Sequence, residues 1–144
     1  MERPSGLNEV VAGLAAQPGT TLLAGGTDLM VEVNYHGRRP PRVIALRRVE
    51  ELKQWDDRRI GAGVTFRRIE QGPIRALAQL ARTVGSPQIR AVGTIGGNLG
   101  TASPAGDSHP FLAACDAHIE LQSNRGTRSL RWDQFLVGVK RTSR

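Results

Sequence analysis

The sequence predicts a mixed α/β fold, with a small parallel sheet in the first part of the chain and an antiparallel or mixed sheet in the second. In the first part, an apolar segment at 20–24 runs through a glycine loop into a helical segment, and a second apolar segment follows at 43–46. A strand–helix–strand unit of this kind requires a parallel pair of strands. In the second part, two extended segments flank Asn124-Arg125-Gly126, which is turn chemistry typical of an antiparallel hairpin.

Composition favours one domain and excludes several kinds of site. The 144 residues, 39% of them hydrophobic, can support a core without disulfide or metal staples. A single cysteine, Cys115, excludes an internal disulfide framework and any metal site with several thiolate ligands. The net charge of +7 permits nucleic acid, a phosphate-bearing cofactor or an acidic partner, and selects none of them. The absence of a signal-like or membrane-spanning segment predicts a cytoplasmic protein.

Periodicity and capping signals place the other elements in order. Helical segments are predicted at 7–16, at 29–35 after a cap at Thr27 or Asp28, around 49–53, from Pro73 to the closing Gly85, from Pro87 to Gly93, and at 110–114. Thr65 is predicted to cap a short turn, and Ser86 is predicted to cap the segment that begins at Pro87. Strands are predicted at 20–24, 43–46, 59–62, 118–122 and 127–132. The Gly-, Ser- and Pro-rich stretch 94–107 predicts no regular element of its own.

Two glycine loops are the strongest candidates for chemistry. The first, at 24–28, lies between a strand and a helix, and the second lies at 94–98. A phosphate must approach the main chain closely, which a Cβ would obstruct, so glycine pairs can offer bare backbone N–H groups to an anion. Neither loop has the spacing of a Rossmann fingerprint or a P-loop. One such loop alone is more often a tight turn without a ligand, whereas two could face one cleft and hold the two phosphates of a dinucleotide.

Residues beside and after the second loop would complete such a site. Asn98, Thr101 and Ser103 are uncharged hydrogen-bond partners for pyrophosphate or ribityl hydroxyls, and Asp107 is an acceptor for a hydroxyl. With these motifs, the chain resembles the FAD-binding medium subunit or domain of the molybdenum hydroxylases, the xanthine dehydrogenase and carbon monoxide dehydrogenase family. The resemblance covers nearly the whole chain and rests on segments 3–10, 24–29 (AGGTDL), 60–65 and 84–107.

The resemblance implies two α/β subdomains, at 1–54 and 55–144, with FAD between them. It implies that FAD passes electrons from the iron–sulfur centres of a partner to NAD or another acceptor, and that no side chain is catalytic. The implied partners are a molybdenum-cofactor subunit and a 2Fe–2S subunit, with no nucleic acid, membrane or metal site. The implied cofactor-binding residues are Leu22, Leu23, Ala24, Gly25, Gly26, Thr27, Asp28, Leu29, Val84, Thr94, Ile95, Gly96, Gly97, Asn98, Thr101, Ser103 and Asp107.

Within that set, the resemblance assigns different parts of FAD to different segments. Residues 22–29 would wrap the pyrophosphate and adenosine side, residues 94–98 would form the second phosphate-and-flavin loop, and Val84 would be an apolar wall. Members of the family continue past the equivalent of 135–138 into a C-terminal domain, whereas this chain ends at Arg144. Weaker FAD binding than in a full-length relative is therefore expected.

Two alternative functions stay open from the residues alone. A flavin-free remnant could serve only in assembly, and the basic charge could indicate a nucleic-acid-binding domain. The few aromatic residues are not interleaved with the arginine pairs, which disfavours the second alternative. His36, His109 and His118 lack metal-ligand spacing and are expected to face solvent or cap helices, and Cys115 is expected to be buried.

Overall fold

The computed structural model describes residues 1–143 of the chain. Its α-helices are α1 (Leu7–Ala16), α2 (Leu29–Tyr35), α3 (Phe66–Glu70), α4 (Arg75–Thr83), α5 (Pro87–Val92), α6 (Ile95–Thr101), α7 (Ser108–Ala114) and α8 (Trp132–Phe135). Its strands are β1 (Thr21–Leu23), β2 (Val43–Ala45), β3 (His118–Ser123), β4 (Gly126–Arg131), β5 (Leu136–Gly138) and β6 (Arg141–Thr142). Two 3-10 helices, Leu46–Arg48 and Glu50–Lys53, follow β2.

A small parallel sheet organises the first part of the chain. Strands β1 and β2 pair in parallel with Leu22 opposite Ile44, as the strand–helix–strand pattern predicts. On the other edge of β2, Glu2 forms a parallel bridge to Ile44, and the Glu2 N–H donates to the Val43 carbonyl at 2.8 Å. Ile44 packs with Val10 and Val49 in a buried cluster. Each such side chain contributes roughly 1.5 to 3 kcal/mol when fully buried.

A second apolar cluster holds the middle of the chain together. It contains seven buried residues from α3, α4, α6 and their flanks: Val64, Phe66, Ile69, Leu77, Ala81, Val84 and Ile95. Two predicted caps fix the entry of the chain into its helices, since the Thr65 hydroxyl accepts from the Arg68 N–H and the Ser86 hydroxyl accepts from the Ile89 N–H. The division into subdomains at 54 and 55 stays a prediction.

The last third of the chain contains two antiparallel pairs. Strands β3 and β4 form the predicted hairpin, with Ser123 opposite Gly126 at its turn. Strands β5 and β6 form a second, irregular pair. The predicted order, with a parallel sheet first and antiparallel strands later, is confirmed.

Two predictions about local structure are wrong. Segment 59–62 is not a strand, because it makes only a single bridge, between Ile60 and Trp55. Segment 94–107 is not wholly irregular, because α6 occupies 95–101 despite its three glycines. The Thr94 hydroxyl caps this helix, and the Ile95 and Gly96 N–H groups donate to the Val64 and Ala62 carbonyls. Tertiary hydrogen bonds thus outweigh the low helix propensity of glycine.

Candidate functional site

The first glycine loop offers free hydrogen-bond donors. It connects β1 to α2, and Gly26 has φ +81°, a conformation that favours glycine. Within residues 1–143, no backbone or side-chain acceptor receives the N–H groups of Gly25, Gly26, Thr27 and Asp28. The Asp28 side chain precedes α2 but makes no capping hydrogen bond to it. Four backbone donors at one turn can therefore receive an anion.

The second glycine loop is the first turn of α6, and its donors are already used. The Gly96 N–H donates to the Ala62 carbonyl at 2.9 Å, and the Gly97 N–H donates to the Thr94 hydroxyl at 3.0 Å. The expectation that a glycine pair offers bare N–H groups therefore holds only for the first loop. What the second loop offers is space. A Cβ added at Gly97 would meet only Thr94 Oγ1 at 3.0 Å and Ala24 Cβ at 3.8 Å within the described chain.

The two loops lie against each other. The Thr101 hydroxyl at the end of α6 lies 3.0 Å from Asp28 Oδ2 and 3.0 Å from the Gly97 carbonyl, so its single proton can serve either acceptor. Gly25 packs on the end of α5, where an added Cβ would lie 2.8 Å from Gly93 Cα. The loops, which are about 70 residues apart in sequence (Asp28 to Thr101 is a separation of 73), thus form one continuous surface.

Buried polar residues support the second loop from behind. The Ser108 hydroxyl, with no exposed surface, donates to Asn98 Oδ1 at 2.5 Å. His109 is 7% exposed, and neither ring nitrogen has a hydrogen-bond partner in the described chain. Burial lowers the pKa of His109 below its ordinary value of 6.5. The expectation that His109 faces solvent or caps a helix is wrong, because its ring packs against Gly106 and toward Trp132.

The remaining candidate residues occupy varied positions. The side chains of Val84 and Ile95 lie in the core, at 7% and 4% exposure, so each can reach a ligand at this surface only through its backbone. The Ser103 hydroxyl accepts from the Ala105 N–H, and Asp107 is exposed. Five further residues of the first loop region are partly buried or exposed at its surface: Leu22, Leu23, Ala24, Thr27 and Leu29. Sequence reasoning missed Ser108, which carries no signal beyond its place near Asp107.

Other features lie outside this surface. Cys115 is exposed, so the expectation that it is buried is wrong. A depression of about 400 Å³ on α3, α4 and α5 is lined by none of the candidate residues. Its Arg90 is held by Glu70 at 3.0 Å and by backbone carbonyls, including that of Gly85. Within residues 1–143, no group of three or more His, Cys, Asp or Glu side chains could hold a metal ion, and no helix is long and apolar enough to cross a membrane.

Comparison with known proteins identifies the family. A family described as the FAD binding domain in molybdopterin dehydrogenase matches residues 1–144. The chain belongs to this family. The FAD-binding domain is 43% identical over 126 residues to the nicotinate dehydrogenase FAD-subunit of Eubacterium barkeri, covering 81% of this chain and 43% of that protein. It is 31% identical over 151 residues to the putative xanthine dehydrogenase FAD-binding subunit of Escherichia coli strain K12, covering 98% of this chain and 52% of that protein.

Solved structures agree with this assignment. The FAD-binding domain matches a chain of the Hydrogenophaga pseudoflava carbon monoxide dehydrogenase that lacks the Mo-pyranopterin moiety, with a TM-score of 0.93 and 29% identity over 99% of this chain and 53% of that chain. A chain of quinoline 2-oxidoreductase from Pseudomonas putida 86 gives a TM-score of 0.94 and 27% identity, with the same coverage. The FAD-binding domain spans about half the length of the curated relatives it matches. The predicted family, fold class and cofactor, FAD, are confirmed.

Proposed function

We propose that the FAD-binding domain is the flavin electron-transfer module of a molybdenum-dependent dehydrogenase, and that it holds FAD across the two glycine loops. One observation carries the proposal: the loops lie side by side, with free N–H groups on one and space at Gly97 on the other. A diphosphate needs both properties, since its oxygens accept hydrogen bonds and must approach the main chain closely.

The residues present fit the pyrophosphate of FAD. The four N–H groups of residues 25–28 have no acceptor within the described chain and so can donate to a ligand. Gly97 provides a place where a ligand atom can lie against the α6 backbone, because a Cβ there would meet only two atoms of the described chain. Asn98 adds a side-chain amide beside Gly97. The candidate set, Leu22 to Leu29, Val84, Thr94 to Asn98, Thr101, Ser103 and Asp107, is proposed as the FAD site on this basis.

The residues of the chain would bind, orient and hold FAD, and none of them acts as an acid, a base or a nucleophile. The N–H groups of residues 25–28 would orient the phosphates, and the Thr101 hydroxyl, which can donate to Asp28 Oδ2, links the two loops. Thr94 keeps the first turn of α6 closed through its bond from Gly97. Bound FAD would supply the redox chemistry, taking up and releasing electrons.

The electron path is proposed from the relatives. Relatives of this domain include the FAD-subunit of nicotinate dehydrogenase, the medium chain of carbon monoxide dehydrogenase and subunit beta of caffeine dehydrogenase. We propose that this domain likewise works beside a molybdenum-cofactor subunit and a 2Fe–2S subunit, receives electrons from the iron–sulfur centres, and passes them to NAD or another acceptor. Spectroscopic reduction of the flavin in the purified complex by its organic substrate, followed by reoxidation with NAD, tests that path.

Titration with FAD and related ligands tests whether the chain binds FAD through its phosphates or through its flavin ring. FAD is added to the chain and followed by flavin fluorescence or calorimetry, with ADP as a competitor and riboflavin as a flavin that lacks phosphates. We expect FAD to bind, ADP to compete and riboflavin to bind much more weakly, because the free donors face the diphosphate. Equal affinities for FAD and riboflavin would refute the site, and no binding at all would favour the flavin-free alternative.

The same titration on a full-length relative tests the affinity difference. The sequence comparison predicts weaker FAD binding by these 144 residues than by a relative of about twice the length. Apolar contact with the flavin ring contributes about 25 cal/mol per Å² buried, so part of the affinity would come from outside this domain. Equal dissociation constants would refute that expectation. The nucleic-acid alternative receives no support from the comparisons.

A further inference from the structure

Ser108 and Asn98 form a buried polar pair directly behind the proposed FAD site. Ser108 opens α7 and has no exposed surface, whereas Asn98 lies on the second turn of α6 and is partly exposed. Their side chains meet at 2.5 Å between Ser108 Oγ and Asn98 Oδ1. Among the described residues, this is the one side-chain hydrogen bond of Ser108.

The burial of the Ser108 hydroxyl determines which way the Asn98 amide points. An asparagine amide can be turned by half a rotation, which exchanges its oxygen and nitrogen. With the nitrogen toward Ser108, the hydroxyl oxygen would accept, and its proton would be left buried without an acceptor. A buried donor without a partner costs about 1 to 3 kcal/mol. The oxygen therefore faces Ser108, and the nitrogen faces away from it.

The Asn98 nitrogen is then free for a ligand. Within residues 1–143, Asn98 Nδ2 donates to no protein acceptor, and it is not among the polar atoms buried without a partner. It therefore has exposed surface through which a ligand can reach it. Gly106 is buried beside the same amide, and an added Cβ there would lie 3.1 Å from Asn98 Oδ1, so the amide is also confined from that side.

We infer that Ser108 is a positioning residue, which fixes the Asn98 amide so that its two N–H bonds face the proposed FAD site; the ligand part of this inference rests on the proposed function. A fixed NH₂ group selects acceptor oxygens, such as those of a phosphate or a carbonyl group, and disfavours a ligand group that can only donate. Ser108 itself, with no exposed surface, touches no ligand. The preference for an acceptor at this point is thus set by a residue that lies behind the site.

Two substitutions test this assignment on the full chain. In Asn98→Asp, the side chain still accepts from Ser108 but presents an oxygen to the ligand, so we expect FAD affinity to fall more than about tenfold. In Ser108→Ala, the amide is released, and we expect affinity to fall about three- to tenfold. Since both act through one group, the double variant should match Asn98→Asp within about twofold. Independent, additive losses would overturn the inference.

A readout without FAD distinguishes this inference from the proposed function. Asn98→Asp identifies the Asn98 side-chain NH₂ signal in a ¹H–¹⁵N spectrum by removing it. We expect that signal to show an ordered amide in the wild type and a mobile one in Ser108→Ala. An equally ordered amide in both would overturn the positioning role, whatever the FAD result. A wild-type chain that binds no FAD would overturn the proposed function and the ligand part of the inference, while this signal still decides the positioning part.

Controls keep a folding defect from being mistaken for an effect on position. Ser108→Cys fills nearly the same space and keeps a weak donor, so we expect an FAD affinity between those of the wild type and Ser108→Ala. Ser129→Ala, on the exposed face of β4, should change neither the affinity nor the amide signal. If Ser108→Cys bound FAD as weakly as Ser108→Ala while keeping its thermal stability, hydrogen-bond donation by residue 108 would be refuted.

Discussion

Replacing Gly97 by alanine tests the proposed phosphate contact with little disturbance to the fold. The new methyl group would meet Thr94 Oγ1 at 3.0 Å and Ala24 Cβ at 3.8 Å, and neither contact involves backbone atoms. A glycine inside a helix is about 1 kcal/mol less favourable than alanine, which offsets the tight contact with the hydroxyl. We therefore expect the free energy of unfolding to change by less than about 1 kcal/mol, within the usual range of a mild substitution.

FAD affinity should respond much more strongly to the same methyl group. If a phosphate lies against Gly97, the methyl group displaces it and weakens charge-assisted hydrogen bonds, each of which contributes about 1.5 to 3 kcal/mol. At 1.4 kcal/mol for each factor of ten, the dissociation constant should rise roughly 10- to 150-fold. Calorimetric titration with FAD measures this directly, and thermal unfolding without FAD measures the stability.

Gly96→Ala is the matched comparison, because its methyl group would collide with the protein itself. An added Cβ there lies 2.6 Å from the Ala62 carbonyl oxygen, so this variant should lose stability even without FAD. The proposed site predicts opposite patterns, with lost affinity at Gly97 and lost stability at Gly96. A Gly97→Ala chain that is stable and binds FAD like the wild type would refute the reasoning.

Three further substitutions have expected outcomes. Thr101→Val removes the hydroxyl that reaches Asp28 Oδ2. It should reduce the free energy of FAD binding by more than it reduces the free energy of unfolding, and the reverse order would contradict the role of this hydroxyl between the loops. Ser86→Ala removes the cap on the Ile89 N–H and should lower the free energy of unfolding by about 1 kcal/mol in a denaturant titration, with an unchanged midpoint counting against it. The depressed pKa of His109 gives stability that is full above pH 6.5 and lost as the pH falls through the folded-state pKa. His109→Leu should therefore show a smaller loss of melting temperature below pH 6.5 than the wild type, and an identical loss would contradict it.

Local signals in the sequence are sufficient to predict secondary structure where a short segment determines its own conformation. The helix at 29–35 was predicted with its observed bounds, and the Ser86-Pro87 cap and the hairpin around Asn124-Arg125 were also predicted correctly. The Ser86 cap and the hairpin turn depend on chemistry within a few residues, whereas the predicted cap of α2 is wrong, because the Asp28 side chain makes no capping hydrogen bond. The sequence also predicts that the two glycine loops lie next to each other, because two such loops can together hold the two phosphates of a dinucleotide.

The missed features depend on contacts between distant segments. Helix α6 contains glycines that disfavour a helix, and its start is fixed by carbonyls at 62 and 64, about 30 residues earlier in the chain (Gly96 bonds Ala62). The bond to Ala62 consumes the Gly96 N–H that the sequence pattern offers to a ligand, and the Thr94 hydroxyl accepts the Gly97 N–H. The His109 ring lies against the nearby Gly106 and toward the distant Trp132, and neither residue marks the histidine as buried in the sequence.

The pairing of Glu2 with β2 has a practical consequence for handling the protein. Glu2 covers the edge of β2 that β1 leaves open. Its N–H donates to the Val43 carbonyl, and its carbonyl accepts from the Ala45 N–H at 2.9 Å. Cleaving off the first residues, by a protease or to remove a purification tag, would leave two backbone groups unpaired on an apolar strand, the Val43 carbonyl and the Ala45 N–H. Open strand edges recruit strands from other molecules. A preparation trimmed at its N-terminus should therefore precipitate on storage sooner than the intact chain, with β2 as the point of self-association.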